Sequence, residues 1–201
     1  MSGIALIDYG AGNLESVRNA LKAAGASDIA VTANPAEVLA GKRIVLPGVG
    51  AFAHCMGALS AIPGMIEALN EAVIVKGRPF LGICVGMQLM ADEGREHGVT
   101  AGLGWISGNV SAIAPAPDLK VPHMGWNDVV PIAPHPVIGP GEAYFLHSYA
   151  FDGAHVLATT DHGGPRVAAI GRDNMIGVQF HPEKSQAYGI ATLQRFLKWR
   201  P

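Results

Sequence analysis

A cysteine between two glycines is the residue in this chain best placed to act as a nucleophile. Cys84 lies in Gly82-Ile83-Cys84-Val85-Gly86, where an apolar run ends and a helical pattern begins. Glycines on both sides allow a strained strand-to-helix turn that exposes the central side chain. A helix N-terminus also stabilises a thiolate. The pattern predicts a nucleophilic Cys84 with the Val85 N–H directed at an oxyanion; the alternative is a buried cysteine that packs between small residues.

His181 and Glu183 are the candidates for the base that a thiol nucleophile needs, and for the group that orients it. Both follow the predicted strand Met175–Phe180. Side chains at i and i+2 of an extended chain point the same way, so the Glu183 carboxylate can fix the imidazole tautomer. A histidine beside a surface glutamate would account for the pair equally well when it is taken alone. With Cys84, the pair predicts thiol-based nucleophilic catalysis.

A third strand end carries the glycine-rich turn Pro47-Gly48-Val49-Gly50. Backbone N–H groups of Val49 and Gly50 can face a developing oxyanion, although Pro-Gly is also an ordinary turn. The Gly10-Ala11-Gly12 turn after the first strand does not fit a dinucleotide site, because Glu15 stands at the third glycine position.

Short apolar runs alternate with helical patterns in the first half of the chain. These elements must position Cys84 and the glycine-rich turn at Pro47–Gly50. Such alternation predicts a mostly parallel sheet covered by helices, with ligands at the carboxyl ends of its strands. The predicted strands are Ile4–Ile7, Ile29–Thr32, Arg43–Leu46 and Pro79–Ile83. Three helices are predicted: one carries Leu14 to Ala24, a short one begins at Pro35, and one runs through Ile66 to Val75.

Helical spacing disappears after about Gly102, and short β runs follow one another up to a final helix from about Ser185 to Trp199. The runs are Asn109–Ile113, Trp126–Val130, Ala143–Phe151, His155–Thr160, Val167–Arg172 and Met175–Phe180. We therefore expect residues 1–201 to form a single α/β domain. Its central, mostly parallel sheet is flanked by helices, and its second half is rich in antiparallel strands.

Composition excludes several classes of protein. With 49% hydrophobic and 15% charged residues among 201, the chain is neither disordered nor a coiled coil. The net charge of −2 and the lack of a basic stripe argue against nucleic acid. The chain shows neither a signal-peptide pattern nor the roughly 18 consecutive apolar residues of a membrane helix, so we expect a cytoplasmic protein with no membrane partner.

The two cysteines and the scattered histidines do not form a metal motif. Cys-x-x-Cys and His-Glu-x-x-His are both missing from the sequence. Cys55 lacks flanking glycines and is expected to pack in the core as a thiol. We predict no metal and no cofactor, and we assign no chemistry to His123 or His147.

In their order and spacing, three motifs resemble those of the class I glutamine amidotransferases. They are Pro47-Gly48-Val49-Gly50, Gly82-Ile83-Cys84-Val85-Gly86-Met87-Gln88 and His181-Pro182-Glu183. Four further segments resemble the branch of that family that serves histidine biosynthesis. They are Asp8–Leu14, Pro122–Asn127, Tyr144–Tyr149 and Gln179–Ser185. The resemblance spans essentially the whole chain; it departs at Val85, where leucine is more usual, and this leaves the backbone N–H unchanged.

The resemblance implies that Cys84 attacks the side-chain amide of glutamine, that His181 moves the protons and that Glu183 orients His181. It places the oxyanion on the N–H groups of Val85 and of the Val49-Gly50 turn. It also implies that ammonia passes to a cyclase subunit in a heterodimer. The amino-acid end of glutamine would be held by Gln88, Ser148 and Tyr149, and the partner would be faced by Asn13, Trp126, Tyr144 and Lys184.

Three other functions share part of this pattern. A class I glutaminase for another pathway, such as pyridoxal phosphate synthesis, would keep the same three catalytic residues, but the Pro-Gly-Val-Gly and Met-Gly-Trp-Asn motifs argue against it. A non-catalytic module of this fold could dispense with Cys84 or His181. A hydrolase of γ-glutamyl conjugates would work without a partner. Without the resemblance, Trp126 would be read as a packing residue.

Overall fold

The computed structural model describes residues 3–116 and 119–201, which form two β-sheets and several helices. The strands are β1 (Ile4–Ile7), β2 (Ile29–Thr32), β3 (Arg43–Gly48), β4 (Phe80–Cys84), β5 (Glu93–Gly94), β6 (Thr100–Ala101), β7 (Gly108–Ala112), β8 (His123–Pro131), β9 (Gly141–His147), β10 (Tyr149–Gly153), β11 (Val156–Asp161), β12 (Pro165–Arg172) and β13 (Met175–Val178).

The helices lie between the parallel strands and at the end of the chain. They are α1 (Leu14–Ala23), α2 (Pro35–Ala40), α3 (Phe52–Ser60), α4 (Met65–Asn70), α5 (Val85–Gln88) and α6 (Gln186–Lys198); a π-helical turn, Glu71–Val75, continues α4, and a 3-10 turn, Pro182–Lys184, precedes α6. In the described ranges, no helix taken singly has the length and apolarity to cross a membrane; Phe52–Ser60 and Met65–Val75 meet that criterion as a pair, bent by 96°.

The larger sheet has the strand order β2-β1-β3-β4-β13-β12-β11-β8-β9. The pairs β2-β1, β1-β3, β3-β4 and β4-β13 are parallel. The pairs β13-β12, β12-β11, β11-β8 and β8-β9 are antiparallel. The second sheet has the order β10-β7-β5-β6. The predicted α/β fold, with a parallel first half and an antiparallel second half, is confirmed.

Burial explains why the two halves of the larger sheet differ in sequence. Every residue of β1, β4 and β13 is buried, as expected for parallel strands covered on both faces. Along strand β8, exposed residues instead alternate with more buried ones. Met124, Trp126 and Val130 on this strand are 64%, 47% and 51% exposed. One face of the antiparallel half is therefore open to solvent.

One prediction of local structure was wrong, and one helix was not predicted. The run Ala143–Phe151 is not one strand, because the chain passes at Ser148 from β9 in the larger sheet to β10 in the smaller one. No Gly or Pro stands between Ala143 and Phe151, so the sequence carries no turn signal at the crossing. Helix α3 was not predicted, because its N-cap residue, Ala51, has no capping side chain. The Phe52 N–H donates instead to Glu96, distant in sequence, at 2.8 Å.

Gly189→Ala should destabilise the protein although alanine favours helix. A Cβ at Gly189 would overlap the Pro182 carbonyl, where α6 packs against the 3-10 turn. We expect the free energy of unfolding to fall by about 1–3 kcal/mol, the usual cost of overpacking. The matched control is Gly57→Ala in α3, where no atom lies within 4 Å of the new Cβ and stability should rise by up to about 1 kcal/mol. Urea denaturation measures both; equal effects would contradict the packing argument.

Candidate active site

Cys84 lies at a strained turn between β4 and α5. Its φ and ψ are 54° and −112°, a conformation that costs a non-glycine residue about 1–3 kcal/mol. The flanking glycines are sterically required: a Cβ at Gly82 would lie 2.6 Å from the Gly86 carbonyl oxygen, and one at Gly86 would overlap the Leu46 carbonyl. The strained strand-to-helix turn that the glycine spacing predicts is therefore present.

Helix α5 is too short to act as the helix dipole invoked for Cys84. It contains 4 residues, so few aligned peptide units lie behind the sulfur. The atoms around Sγ come from other segments: Gln179 Nε2 donates to it at 3.7 Å, and the Leu146 carbonyl lies at 3.9 Å. Stabilisation of charge on Sγ must therefore depend mainly on neighbouring side chains.

His181 and Glu183 form a buried pair. The distance from Nδ1 to Oε1 is 2.8 Å, and their side chains are 3% and 2% exposed. The expected reason was wrong in one respect. His181 is extended, but a 3-10 turn begins at Pro182, so the carboxylate reaches the ring across a turn and not along a strand. The second carboxylate oxygen, Oε2, is buried with no hydrogen-bond partner among the described residues.

Strand β9 holds this turn in place. The His181 N–H donates to the Tyr144 carbonyl at 2.9 Å. The Ser185 hydroxyl donates to the His181 carbonyl at 2.6 Å and accepts from the Tyr144 N–H at 2.9 Å. One backbone–backbone hydrogen bond and two through the Ser185 hydroxyl thus fix the backbone of His181 relative to β9.

The imidazole of His181 carries the positive charge at the site. Burial alone would lower the pKa of His181, but the Cys84 sulfur and the Glu183 carboxylate outweigh it and raise the pKa to about 10. His181 therefore keeps its proton at neutral pH. An imidazolium beside a sulfur stabilises negative charge on that sulfur.

One cavity of about 140 Å³ gathers most of the residues singled out in the sequence. Cys84 and His181 line it, and Glu183 lies behind His181. The residues predicted for the oxyanion and for the substrate also line it: Val49, Gly50, Val85, Gln88, Ser148 and Tyr149. Parallel pairing of β3, β4 and β13 brings their ends to one edge of the sheet, which is why distant motifs meet here.

Tyr9 and Cys55 anchor the glycine-rich loop after β3. The Tyr9 hydroxyl donates to the Pro47 carbonyl at 2.8 Å, and the Cys55 thiol donates to the Val49 carbonyl at 3.4 Å. Burial raises the pKa of both Tyr9 and Cys55, so each remains a protonated donor. A Cβ at Gly48 would lie 2.7 Å from the Gly86 nitrogen, so the loop rests directly on the turn at Cys84.

Gln88 lines the cavity and keeps one side-chain acceptor free. Its Nε2 donates to the Tyr149 carbonyl and to Gln179 Oε1, both at 3.0 Å. Both amide hydrogens are thereby used, and Oε1 remains as an acceptor. Glu96 adds a carboxylate to the cavity lining. Sequence reasoning missed Tyr9, Glu96 and Gln179, because their roles depend on contacts between distant segments.

Three of the four residues expected to face a partner lie together. Trp126 packs edge-on against Tyr144 at 6.2 Å between ring centroids, and Lys184 Nζ lies 5.8 Å from the centre of the Tyr144 ring. Asn13 is exposed and caps α1, which packs against the Pro182–Lys184 turn. In residues 3–116 and 119–201, no group of three or more His, Cys, Asp and Glu side chains could hold a metal ion.

The fold and the site define an α/β enzyme that presents a cysteine and a histidine–glutamate pair at adjacent strand ends. The family model for class I glutamine amidotransferases matches residues 5–198, and the chain belongs to this family. A solved structure of a glutamine amidotransferase has the same fold, with a TM-score of 0.75 over 98% of both chains at 17% identity.

Curated relatives are similar over the whole chain. The chain is 63% identical over 207 residues to imidazole glycerol phosphate synthase subunit HisH of Zymomonas mobilis, covering 100% of this chain and 97% of the relative. It is 52% identical over 214 residues to the protein of the same name in Rhodopseudomonas palustris, covering 98% and 99%.

Glu183→Gln should lower the pKa of His181. Without the carboxylate charge, the protonated ring loses a stabilising partner, so its midpoint should fall from about 10 toward the ordinary 6.5. Because the folded-state pKa is raised, protonated His181 stabilises the wild type below about pH 6.5, and this stabilisation is lost as the pH rises through about 10. Ring NMR titration measures the midpoint. Glu67→Gln, exposed on α4, is the control; an unchanged midpoint in Glu183→Gln would contradict the pairing.

Proposed function

We propose that this chain is the glutaminase subunit of imidazole glycerol phosphate synthase. It hydrolyses glutamine to glutamate and ammonia. The ammonia goes to a cyclase subunit, which makes imidazole glycerol phosphate and an aminoimidazole carboxamide ribonucleotide in histidine biosynthesis. The observation that carries the chemistry is the meeting of Cys84 with the His181–Glu183 pair at one small cavity. The relatives at 63% and 52% identity support the pathway.

In the first half of the reaction, the Cys84 sulfur attacks the side-chain amide carbon of glutamine. The carbonyl oxygen becomes an oxyanion, and the C–N bond then breaks as His181 gives its proton to the leaving nitrogen. Ammonia and a γ-glutamyl thioester result. The raised pKa of His181 suits this step, because the ring carries its proton at neutral pH.

In the second half, water cleaves the thioester. Having lost its proton to ammonia, neutral His181 takes a proton from the water that attacks the thioester carbonyl. Glutamate leaves, and Cys84 and His181 return to their starting state. Glu183 holds the ring through Nδ1 at 2.8 Å, which directs the other ring nitrogen to the reacting atoms.

The oxyanion in both halves would lie near the contact between the loop and the turn at Cys84. Val49, Gly50 and Val85 line the cavity, and their backbone N–H groups would donate to the oxyanion. Preorganised donors of this kind account for about 2.7–4 kcal/mol of transition-state stabilisation each. Their position depends on the anchors that Tyr9 and Cys55 provide to the loop.

Charge complementarity supports glutamine as the substrate. The free Oε1 of Gln88 and the Glu96 carboxylate are acceptors suited to an α-ammonium group. Ser148 and Tyr149 line the same cavity, and their backbone would hold the rest of the amino-acid end. A substrate whose α-amino group is blocked would lose these ammonium contacts and should be hydrolysed poorly.

The partner-facing surface would lie beside the cavity. Trp126, Tyr144 and Lys184 form one cluster, and Lys184 also lines the cavity. With Asn13 across the Pro182–Lys184 turn, they surround the point at which ammonia would leave for the cyclase. An exposed tryptophan beside a tyrosine is typical of the centre of a protein interface.

Cys84→Ala should abolish glutamine-dependent turnover of the complex, by about 10⁴-fold or more, because the covalent intermediate cannot form. Synthesis from added ammonium salt should remain at the wild-type rate, because that chemistry belongs to the cyclase subunit. Glutamate release and product formation are measured in parallel. Loss of both activities would mean that Cys84 maintains the interface and not the chemistry.

The isolated chain should release glutamate from glutamine far more slowly than the complex supplied with the cyclase's nucleotide substrate. The reason is the Gly48–Val49 peptide between the two anchored carbonyls, whose N–H group can be misdirected until the partner orders it. Coupled glutamate assays with and without the cyclase subunit test this. Equal rates would contradict it and favour a free-standing hydrolase.

A further inference from the structure

A line of side-chain hydrogen bonds runs from the open strand β8 to the cavity. Asn127 Nδ2 lies 3.1 Å from His123 Nε2. His123 Nδ1 lies 3.0 Å from His147 Nε2, and His147 Nδ1 lies 2.9 Å from the Tyr149 carbonyl oxygen. Both histidines are buried, 4% and 6% exposed.

The geometry fixes the direction of every proton in this line. A carbonyl oxygen only accepts, so His147 Nδ1 must donate to Tyr149. Nε2 of neutral His147 then accepts, so His123 donates through Nδ1 and accepts at Nε2 from the Asn127 amide. That amide is itself oriented, because Nδ2 also donates to the Asp161 carbonyl at 2.7 Å and Oδ1 accepts from the Asp128 N–H.

The surroundings keep both rings neutral and immobile. Burial is the main cause that lowers the pKa of His123 and of His147 to about 4. His123 is stacked between Phe145 and His162, with centroids at 4.7 Å and 4.1 Å and interplanar angles of 16° in both cases. His162 is held in turn by the Lys120 carbonyl at 2.8 Å. Every ring nitrogen of His123 and His147 thus has a partner.

At the cavity end, the line reaches the groups that would bind substrate. The Tyr149 carbonyl accepts from His147 and also from Gln88 Nε2 at 3.0 Å. Gln88 continues to Gln179, whose Nε2 donates to Cys84 Sγ at 3.7 Å. The orientation of the Gln88 amide, and hence the direction of its free oxygen, depends on the position of the Tyr149 carbonyl.

We propose that His123 and His147 are positioning residues for glutamine binding. They hold the Tyr149 carbonyl, and through it the Gln88 amide, in the orientation that receives the amino-acid end of the substrate. This assignment rests on the proposed function of the site. His147 borders the cavity, but neither histidine is hydrogen-bonded to Cys84 or His181. Their loss should therefore weaken substrate binding more than it slows the chemical steps.

The test compares two substitutions of His123 in the complex with the cyclase subunit. His123→Leu fills the space without a donor, whereas the amide of His123→Asn can replace the Nδ1 donor. We expect His123→Leu to raise KM for glutamine about 10-fold, the effect of one lost buried hydrogen bond, with kcat changed less than about 3-fold. His123→Asn should restore most of the affinity. His135→Leu, a half-buried histidine that packs on Trp199 away from the cavity, is the matched control.

Nitrogen-15 ring spectra of the wild type provide a second readout that needs no activity. The proposal requires both His123 and His147 to be neutral with the proton on Nδ1 at pH 7. Either ring protonated on Nε2, or an unchanged KM in an active His123→Leu complex, would overturn the proposal. A wild-type complex that releases no glutamate would overturn the proposed function instead, and the ring spectra would still decide whether the hydrogen-bond line exists.

Discussion

The contact between the turn at Cys84 and the neighbouring backbone is the constraint on which the rest of the site depends. Gly82 and Gly86 approach each other and the Leu46 carbonyl so closely that a single methyl group has no space. This allows β4 to turn sharply and to keep a non-glycine residue at φ 54°. The strain is sustained because β3 and β13 pair with β4 on either side.

Side chains, and not the dipole of a long helix, stabilise negative charge on the Cys84 sulfur. The four-residue helix α5 contributes little field, whereas His181 and Glu183 are both nearly inaccessible to water. Burying such a pair is costly unless each charge has a partner. The ring is paired with Cys84 on one side and with Glu183 on the other, and the second carboxylate oxygen has no competing donor among the described residues. The field of Glu183 is therefore directed at the imidazole.

Local signals in the sequence predicted the parallel half of the fold and the positions of Cys84, His181 and Glu183. Continuous apolar runs, glycine spacing and a proline after a histidine are all readable within a few residues. The anchors Tyr9 and Cys55, the Glu96 cap of α3 and the line through His123 and His147 were not predictable. Each of these contacts joins segments far apart in the chain. The residues next to a polar side chain in the sequence do not indicate which distant group it binds. The crossing at Ser148 was missed because no Gly or Pro marks it.

The anchoring of the Pro47–Gly50 loop by two different side chains has an evolutionary consequence. Tyr9 follows β1 and Cys55 lies in α3, so the two ends of the loop are held by separate parts of the chain. Loss of one donor leaves its carbonyl acceptor without that hydrogen bond and releases one end of the loop. Covariation should therefore link Tyr9 to residues beside Pro47, and Cys55 to residues beside Val49.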